Sequence, residues 1–349
     1  MDNTTAADLI LAQALEALRK HGPRARVVVR APRVGQRRPD AVVEIRHGQH
    51  AKLYAAEVKH NVQDATIGAV LLQPTGAKQP PLLVAEYVPP AIADKLKKNN
   101  LPFIDAAGNA YIKQTDLFIW VKGNRRKIPE AAAFGNQYVA RAFEPAGLKV
   151  LFAFLCDPTL VDRPFREIAE KADVAHGTVG EVMAELPHRN HLYDFGKTAG
   201  GRKLKNADDL LVKWAEAYAR KLKPKLLIGR YAARKVDWWK EVDPRKFGMV
   251  LGAEPAAAKI TRHLKPTVIT FYGDRAEPRL IVDHALRTDP KGDIEIAKRF
   301  WRVQTDEDKK GLAPLPLIYA DLLATGDPRC IETAGLIRDR YLAGLKRKA

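Results

Sequence analysis

Three observations predict an α/β chain built from several domains. Residues 1–130 alternate amphipathic helical stretches with short strands, 143–210 read as helix, tight turn, helix and basic hairpin, and 211–349 mix strands with a closing pair of helices. Alternation of that kind in the first segment predicts an α/β sandwich. The 349 residues suffice for two or three separate cores.

In the first segment, a capped helix over 5–20 runs through Leu9, Leu11, Leu15 and Leu18. Strands follow at Arg26–Arg30, Ala41–Arg46 and Lys52–Lys59, then a helix over Ala65–Gln73, a strand Leu82–Glu86 and a helix Pro90–Asn99. Short strands Phe103–Ile104, Asn109–Lys113 and Leu117–Val121 complete the unit, and Gly123 to Pro129 marks its exit.

In the second segment, Leu148–Leu155 is the first helix. Phe165, Ile168 and Ala169 recur at helical spacing, and Ala172-Asp173-Val174 interrupts them as a turn. A second helix runs over Ala175–Leu186 with Val179, Val182, Met183 and Leu186 inward. Strands His191–Phe195 and Arg202–Lys205 flank Gly196-Lys197-Thr198-Ala199-Gly200-Gly201, a run suited to a flexible hairpin tip. Together these elements predict a central winged helix-turn-helix, a shape that enters the major groove and straddles the backbone.

In the third segment, a basic amphipathic helix Leu210–Leu222 leads to strands near Leu226–Tyr231 and Val268–Tyr272. The segment closes on Leu317–Ala324, a Gly326 stop, an Asp327 cap, Pro328 at the first helical position and a helix Arg329–Leu345. Asp274, Asp283, Asp289 and Asp293 sit in turn-like contexts and are expected to cap or solvate.

Charge points to the partner. The formal net charge is +18, and Arg189–Lys235 alone holds thirteen Lys/Arg against four Asp/Glu. A second run, Arg19–Arg38, carries eight Lys/Arg and no acid. Such clusters release condensed counterions on meeting phosphates and favour double-stranded DNA. The expected contacts are His176 and Thr178 at base edges, with Arg189, Lys197, Arg202, Lys203 and Lys205 on phosphates.

Composition narrows the class. With 46% apolar and 29% charged residues the chain reads as an ordinary globular protein. No apolar run reaches membrane-spanning length, and the polar, acidic N-terminus is unlike a secretory signal, so no membrane partner and a cytoplasmic setting are expected. Cys156 and Cys330 lie in apolar helical patterns and are expected to be buried thiols without a disulfide. His47, His50, His60 and His263 read as turn or surface residues, and no Cys/His spacing resembles a zinc site.

A sharper pattern lies at Asp40 and Glu57-Val58-Lys59. If Gly48-Gln49 is a two-residue hairpin turn, paired residues have numbers summing to 97, which sets Asp40 opposite Glu57 with Lys59 on the same face. Opposed carboxylates repel unless a cation or proton relieves them, and Lys59 could orient an attacking water. Over residues 5 to about 90 this resembles the PD-(D/E)xK nuclease family. That resemblance implies a restriction-endonuclease-like sandwich, with Asp40 and Glu57 as Mg2+ ligands, Lys59 on the water, and Glu16 as the one acid available on the first helix. A solvated Glu57/Lys59 pair on an inactive scaffold is the simpler reading and is preferred, because resemblance of fold does not carry activity. The expectation is therefore no cofactor, with Mg2+ required only by a Mg2+-dependent endonuclease targeted by the winged helix.

Three further strings, Leu101–Ile112, Gly252–Ala258 and Ile318–Arg329, taken with the winged helix between them, resemble the AbiEi-type antitoxin and transcriptional-regulator family of abortive-infection, type IV toxin-antitoxin systems. The resemblance implies a DNA-binding repressor of its own operon that opposes a nucleotidyltransferase-type toxin. Regulators of this type act on palindromic sites as homodimers. In such antitoxins the winged helix lies near the N-terminus, whereas here it is central, with a C-terminal mixed α/β domain left for toxin neutralisation or interaction.

Overall fold

The computed structural model describes residues 6–30, 39–59, 62, 64–71, 79–124, 141–194, 201–234 and 237–348. The chain is a mixed α/β protein in two compact units, Met1–Asn136 and Gln137–Ala349.

The first unit opens with helix α1 (Ala6–Arg19), then strands β1 (Arg24–Arg30), β2 (Ala41–His47) and β3 (His50–Lys59). Helix α2 (Asp64–Leu71), strand β4 (Pro81–Ala85), helix α3 (Pro90–Lys98) and strands β5 (Phe103–Asp105), β6 (Ala110–Lys113) and β7 (Phe118–Val121) follow. The seven strands form one sheet in sequence order. Only the β3/β4 and β4/β5 pairs are parallel, and these are the connections that carry helices. The Gly48-Gln49 turn is as expected: His47 pairs His50 and Ala41 pairs Ala56, so the numbers sum to 97 throughout, with Gly48 at φ +55°.

Alternation sorts the side chains of this sheet. Val43, Ile45, Tyr54, Ala56, Leu82 and Val84 meet Ile10, Leu11, Leu15 and Leu18 of α1 in one core. On the opposite face, α3 lies over β7, with Lys97 Nζ 4.4 Å from the Trp120 ring centroid and Trp120 edge-on to Phe103 and Tyr111. Asp105 at the end of β5 is buried and accepts from Val88 N, Asn109 N and Asn109 Nδ2, each at 2.8 Å. Burial raises its carboxyl above the ordinary carboxylate range.

The second unit opens with helices α4 (Pro145–Cys156), α5 (Phe165–Ala172) and α6 (His176–His188), the hairpin β8 (Leu192–Asp194) and β9 (Arg202–Leu204), and helix α7 (Ala207–Lys221). It continues with β10 (Leu227–Ala232), β11 (Val250–Leu251), α8 (Ala253–Thr261), β12 (Ile269–Gly273), α9 (Pro278–Asp283), β13 (Arg287–Thr288) and β14 (Ile294–Lys298). Helices α10 (Leu315–Thr325) and α11 (Pro328–Lys348) close it. Strands β10 to β14 form a five-stranded sheet in the order β11-β12-β14-β10-β13, in which β12 and β14 are parallel. Of these, β11, α8, α9, β13 and β14 were not anticipated from sequence. Each is short, and the β12/β14 pair depends on contacts between residues about 25 apart, which local periodicity does not encode.

Helices from the two sequence segments share a core. Trp214 Nε1 of α7 donates to Leu148 O of α4 at 2.8 Å, and Phe152 stacks on Trp214 at 5.1 Å. Tyr341 of α11 donates to Leu155 O at 3.0 Å. The α10/α11 turn follows its sequence signals. Gly326 takes φ +65°, which an L side chain rarely adopts, and Asp327 Oδ1 accepts Arg329 N at 2.9 Å ahead of Pro328. Both cysteines are free; Cys330 is buried as expected, whereas Cys156 is partly exposed. Among the described residues no helix is long and apolar enough to cross a membrane.

Candidate nucleic-acid interface

Helix α5 stops where Asp173 turns left-handed, at φ 53°. Asp173 N and Val174 N then donate back to Glu170 O and Ala169 O, so the last carbonyls of the helix are satisfied. Ala175 starts α6, which buries Val179, Val182, Met183 and Leu186 and runs through Pro187 to His188, two residues beyond the expected end. Three residues thus separate the two helices, and Ile168, Ala169 and Ala172 supply the facing apolar surface. The hairpin pairs Leu192 with Leu204, Tyr193 with Lys203 and Asp194 with Arg202.

The expected DNA contacts fall in three kinds of place. His176 lies at the first turn of α6, exposed, with its ring 6.0 Å from that of Phe165, and Thr178 sits beside it, half-buried. Lys203 projects from the hairpin and is exposed, while Lys205 Nζ lies 4.3 Å from the Tyr193 ring centroid. Arg189 caps the other end of α6, about 20 Å along the helix from His176 at 1.5 Å per residue. It pairs with Glu185 and covers the Phe143 ring at 5.3 Å. Lys197 lies outside the described residues.

Arg202 is turned inward. Its Nη2 donates to Arg163 O at 2.9 Å, its backbone N to Asp162 Oδ1 at 2.9 Å, and its guanidinium carbon lies 5.2 Å from the Phe165 ring centroid. Gly201 makes this possible. At φ +70°, a Cβ there would sit 2.6 Å from the Asp162 carboxylate. Arg202 therefore fastens the hairpin to α5, a role that residue type and charge could not distinguish from phosphate contact.

Sequence reasoning also missed a clamp on the turn between α5 and α6. Arg302, just after β14, donates from its backbone N to Lys171 O at 3.1 Å and from Nη2 to Asp173 Oδ1 at 2.5 Å. Lys149 of α4 reaches Asp173 Oδ2 at 3.6 Å from the other side. No local signal could have found a contact between residues this far apart in sequence.

His191, where α6 passes into the hairpin, is buried, and among the described residues neither ring nitrogen has a hydrogen-bond partner. The Asp209 carboxylate lies 3.6 Å from Nε2. Burial, followed by the charge of Lys213, lowers its ring below the ordinary histidine value.

Behind this surface lies a buried polar cluster that sequence reading passed over. Asp321 of α10 accepts from Tyr218 OH and Lys223 Nζ on Oδ1, at 3.0 and 2.8 Å, and from Tyr272 OH on Oδ2 at 2.7 Å. The two tyrosine hydroxyls are 3.0 Å apart. Burial, then the Asp321 charge, push both phenols well above their ordinary value, so both stay protonated donors. An aspartate in the apolar run Leu315–Leu323 was the available signal, since such a residue is rarely buried without partners.

In the first unit, Asp40 directly precedes β2, and extending the register sets it opposite Glu57 on the face away from α1. Asp40 Oδ2 accepts Val58 N at 2.8 Å, and Lys59 Nζ lies 3.6 Å from Glu57. The repulsion between the two acids is thus relieved by groups of the chain itself. Among the described residues no group of three or more His, Cys, Asp or Glu is placed to hold a metal ion. Glu16 is exposed on α1, which packs against the other face, so it does not join the pair.

Residues 203–343 match the model of a family described as transcriptional regulator, AbiEi antitoxin, of a type IV toxin-antitoxin (TA) system. The matched region takes in α7, the five-stranded sheet, the Asp321 cluster and most of α11. No curated protein and no solved structure gives a match.

Proposed function

We propose that the chain is a sequence-specific DNA-binding transcriptional regulator of the AbiEi antitoxin type, reading duplex DNA through a winged helix-turn-helix formed by α5, α6 and the β8/β9 hairpin. The observation that carries the reading is the packing of α5 and α6. Their apolar faces are spent on each other and on α4, which leaves the first turn of α6, with His176 and Thr178, free to meet base edges. Lys203 and Lys205 lie on the hairpin, where a wing meets the flanking phosphates. The family match over the adjoining region supports a regulator that represses its own operon and opposes a toxin.

Finer features follow from the family type rather than from geometry. The toxin is of the nucleotidyltransferase type, the regulator acts as a homodimer on a palindromic site, and the region after the hairpin carries the antitoxin role. Asp40, Glu57 and Lys59 form an inactive surface cluster.

Anisotropy titration tests DNA recognition. The probe is the duplex that the wild-type protein recovers from a random-sequence pool, with a shuffled duplex as control. The recovered duplex should bind at least about a thousandfold more tightly than the control. Lys203→Ala should weaken both and reduce the salt slope by about one. Equal binding of the two duplexes would overturn the sequence-specific reading.

A further inference from the structure

The sheet of the first unit is covered on its second face over only part of its width. Toward β7 it carries the edge-to-face Phe103, Tyr111 and Trp120 rings, with Lys97 of α3 over Trp120. Over β1 to β3, Val29 and Leu53 stand 53% and 39% exposed. The arginines of this part share that face. Arg24 is paired directly with Arg46, and Arg26 with Glu44.

Like charges placed directly opposite on neighbouring strands repel, and a sheet normally avoids them. Here one carboxylate serves two guanidinium groups: Glu44 Oε1 is 3.2 Å from Arg26 Nε and 3.5 Å from Arg46 Nε. Arg24 is exposed and has no carboxylate partner among the described residues. At this end of the strands the patch carries three positive charges and one negative, next to exposed aliphatic side chains; Asp40, Glu57 and Lys59 lie on the same face toward the far ends of β2 and β3. Planar guanidinium forks match phosphate oxygens two at a time.

We propose that this open face of β1 to β3 is a second contact surface for duplex nucleic acid, gripping phosphates through Arg24, Arg26 and Arg46, separate from the winged helix-turn-helix. Charge selects the partner. The run Arg19–Arg38 carries eight Lys/Arg and no acid, and residues 1–136 hold twenty Lys/Arg against twelve Asp/Glu. A net excess of eight positive charges over this unit, with three arginines gathered at one end of the open face, suits a polyanion with evenly repeated charge better than an isolated acidic side chain of a protein. Val29 and Leu53 offer an apolar floor for the sugar edge. Two contacts on one chain make the second binding event intramolecular and raise the residence time on long duplexes.

The test uses the full chain and a random-sequence duplex, with anisotropy titrations from low to physiological salt. Six proteins are compared: wild type, Arg24→Ala/Arg46→Ala, Lys203→Ala, the combined variant, Arg24→Lys/Arg46→Lys and Glu44→Gln. The double variant leaves only the Arg26–Glu44 pair, so the log–log salt slope should fall by about two, since each lost phosphate contact removes about one. Arg24→Lys/Arg46→Lys should keep most of the slope, and Glu44→Gln, which adds a net positive charge, should tighten binding. A double variant with wild-type slope, beside a Lys203→Ala variant that has lost slope, would overturn the second surface and leave the winged-helix reading standing. The reverse result would support the sheet surface and remove the wing. Loss of affinity for single-stranded RNA or an acidic peptide alone, with duplex binding unchanged, would also overturn the proposal.

Discussion

Replacing Asp321 by alanine should cost the second unit more stability than removing the hydroxyl of either tyrosine bound to it. Asp321 is fully buried and accepts three hydrogen bonds, one of them from the Lys223 ammonium. Asp321→Ala leaves two buried hydroxyls and a half-buried cation without their acceptor, and breaking a buried charged pair costs about 3–5 kcal/mol. For a unit of this size each kcal/mol lowers Tm by about 2–4 °C, so the loss is about 6–20 °C. Asp321→Asn is milder. It keeps one carbonyl oxygen for Tyr218 and Lys223, and its amide can donate to Tyr272, whose hydroxyl can turn toward Tyr218. Lys223 reaches solvent and can hydrate. The expected cost is about 1–3 kcal/mol, and Tyr272→Phe should fall in the same range. Calorimetry on the three variants gives the order directly. An Asp321→Ala melt within about 2 °C of wild type, or Asn as damaging as Ala, would refute this view of the cluster.

Three further outcomes are expected. Because the folded protein lowers the His191 pKa, the unfolded chain binds its proton first as pH falls. His191 stability is therefore complete above the ordinary value of 6.5 and is lost as pH drops through the lowered one. His191→Gln should flatten the stability difference between about pH 7 and pH 5 relative to wild type, measured by urea melts. Arg302→Ala should speed amide exchange at Asp173 and Val174 without DNA present, and Arg302→Lys should keep part of the protection; unchanged exchange in Arg302→Ala would show that the clamp does not hold the turn. With Mg2+ or Mn2+, the wild-type protein should cut plasmid DNA no faster than Asp40→Ala/Lys59→Ala, and metal-dependent cleavage lost in that variant would make the protein a nuclease.

What was legible in the sequence was local. Gly48-Gln49 set the β2/β3 register because a two-residue turn leaves one pairing in which Val43, Ile45 and Tyr54 all face inward. Gly326-Asp327-Pro328 marked the α10/α11 break because each residue has one role there, a left-handed stop, a cap and a first-turn proline. The inward residues of α6 followed from a period of 3.6. What was hidden was long-range. Arg202 looked like any wing arginine until the close approach of Gly201 to Asp162 turned it toward α5. Asp321 acquires its meaning from Tyr218 and Tyr272, which lie 103 and 49 residues away.

The recognition role of α6 can be tested by placing a photoreactive phenylalanine analogue at one of two exposed positions, 176 at its first turn or 188 at its last. Irradiated on the selected duplex, the protein labelled at 176 should crosslink to bases in the major groove, and the protein labelled at 188 should not. No crosslink from 176, with efficient crosslinks from 188, would contradict recognition through the N-terminal turn of this helix.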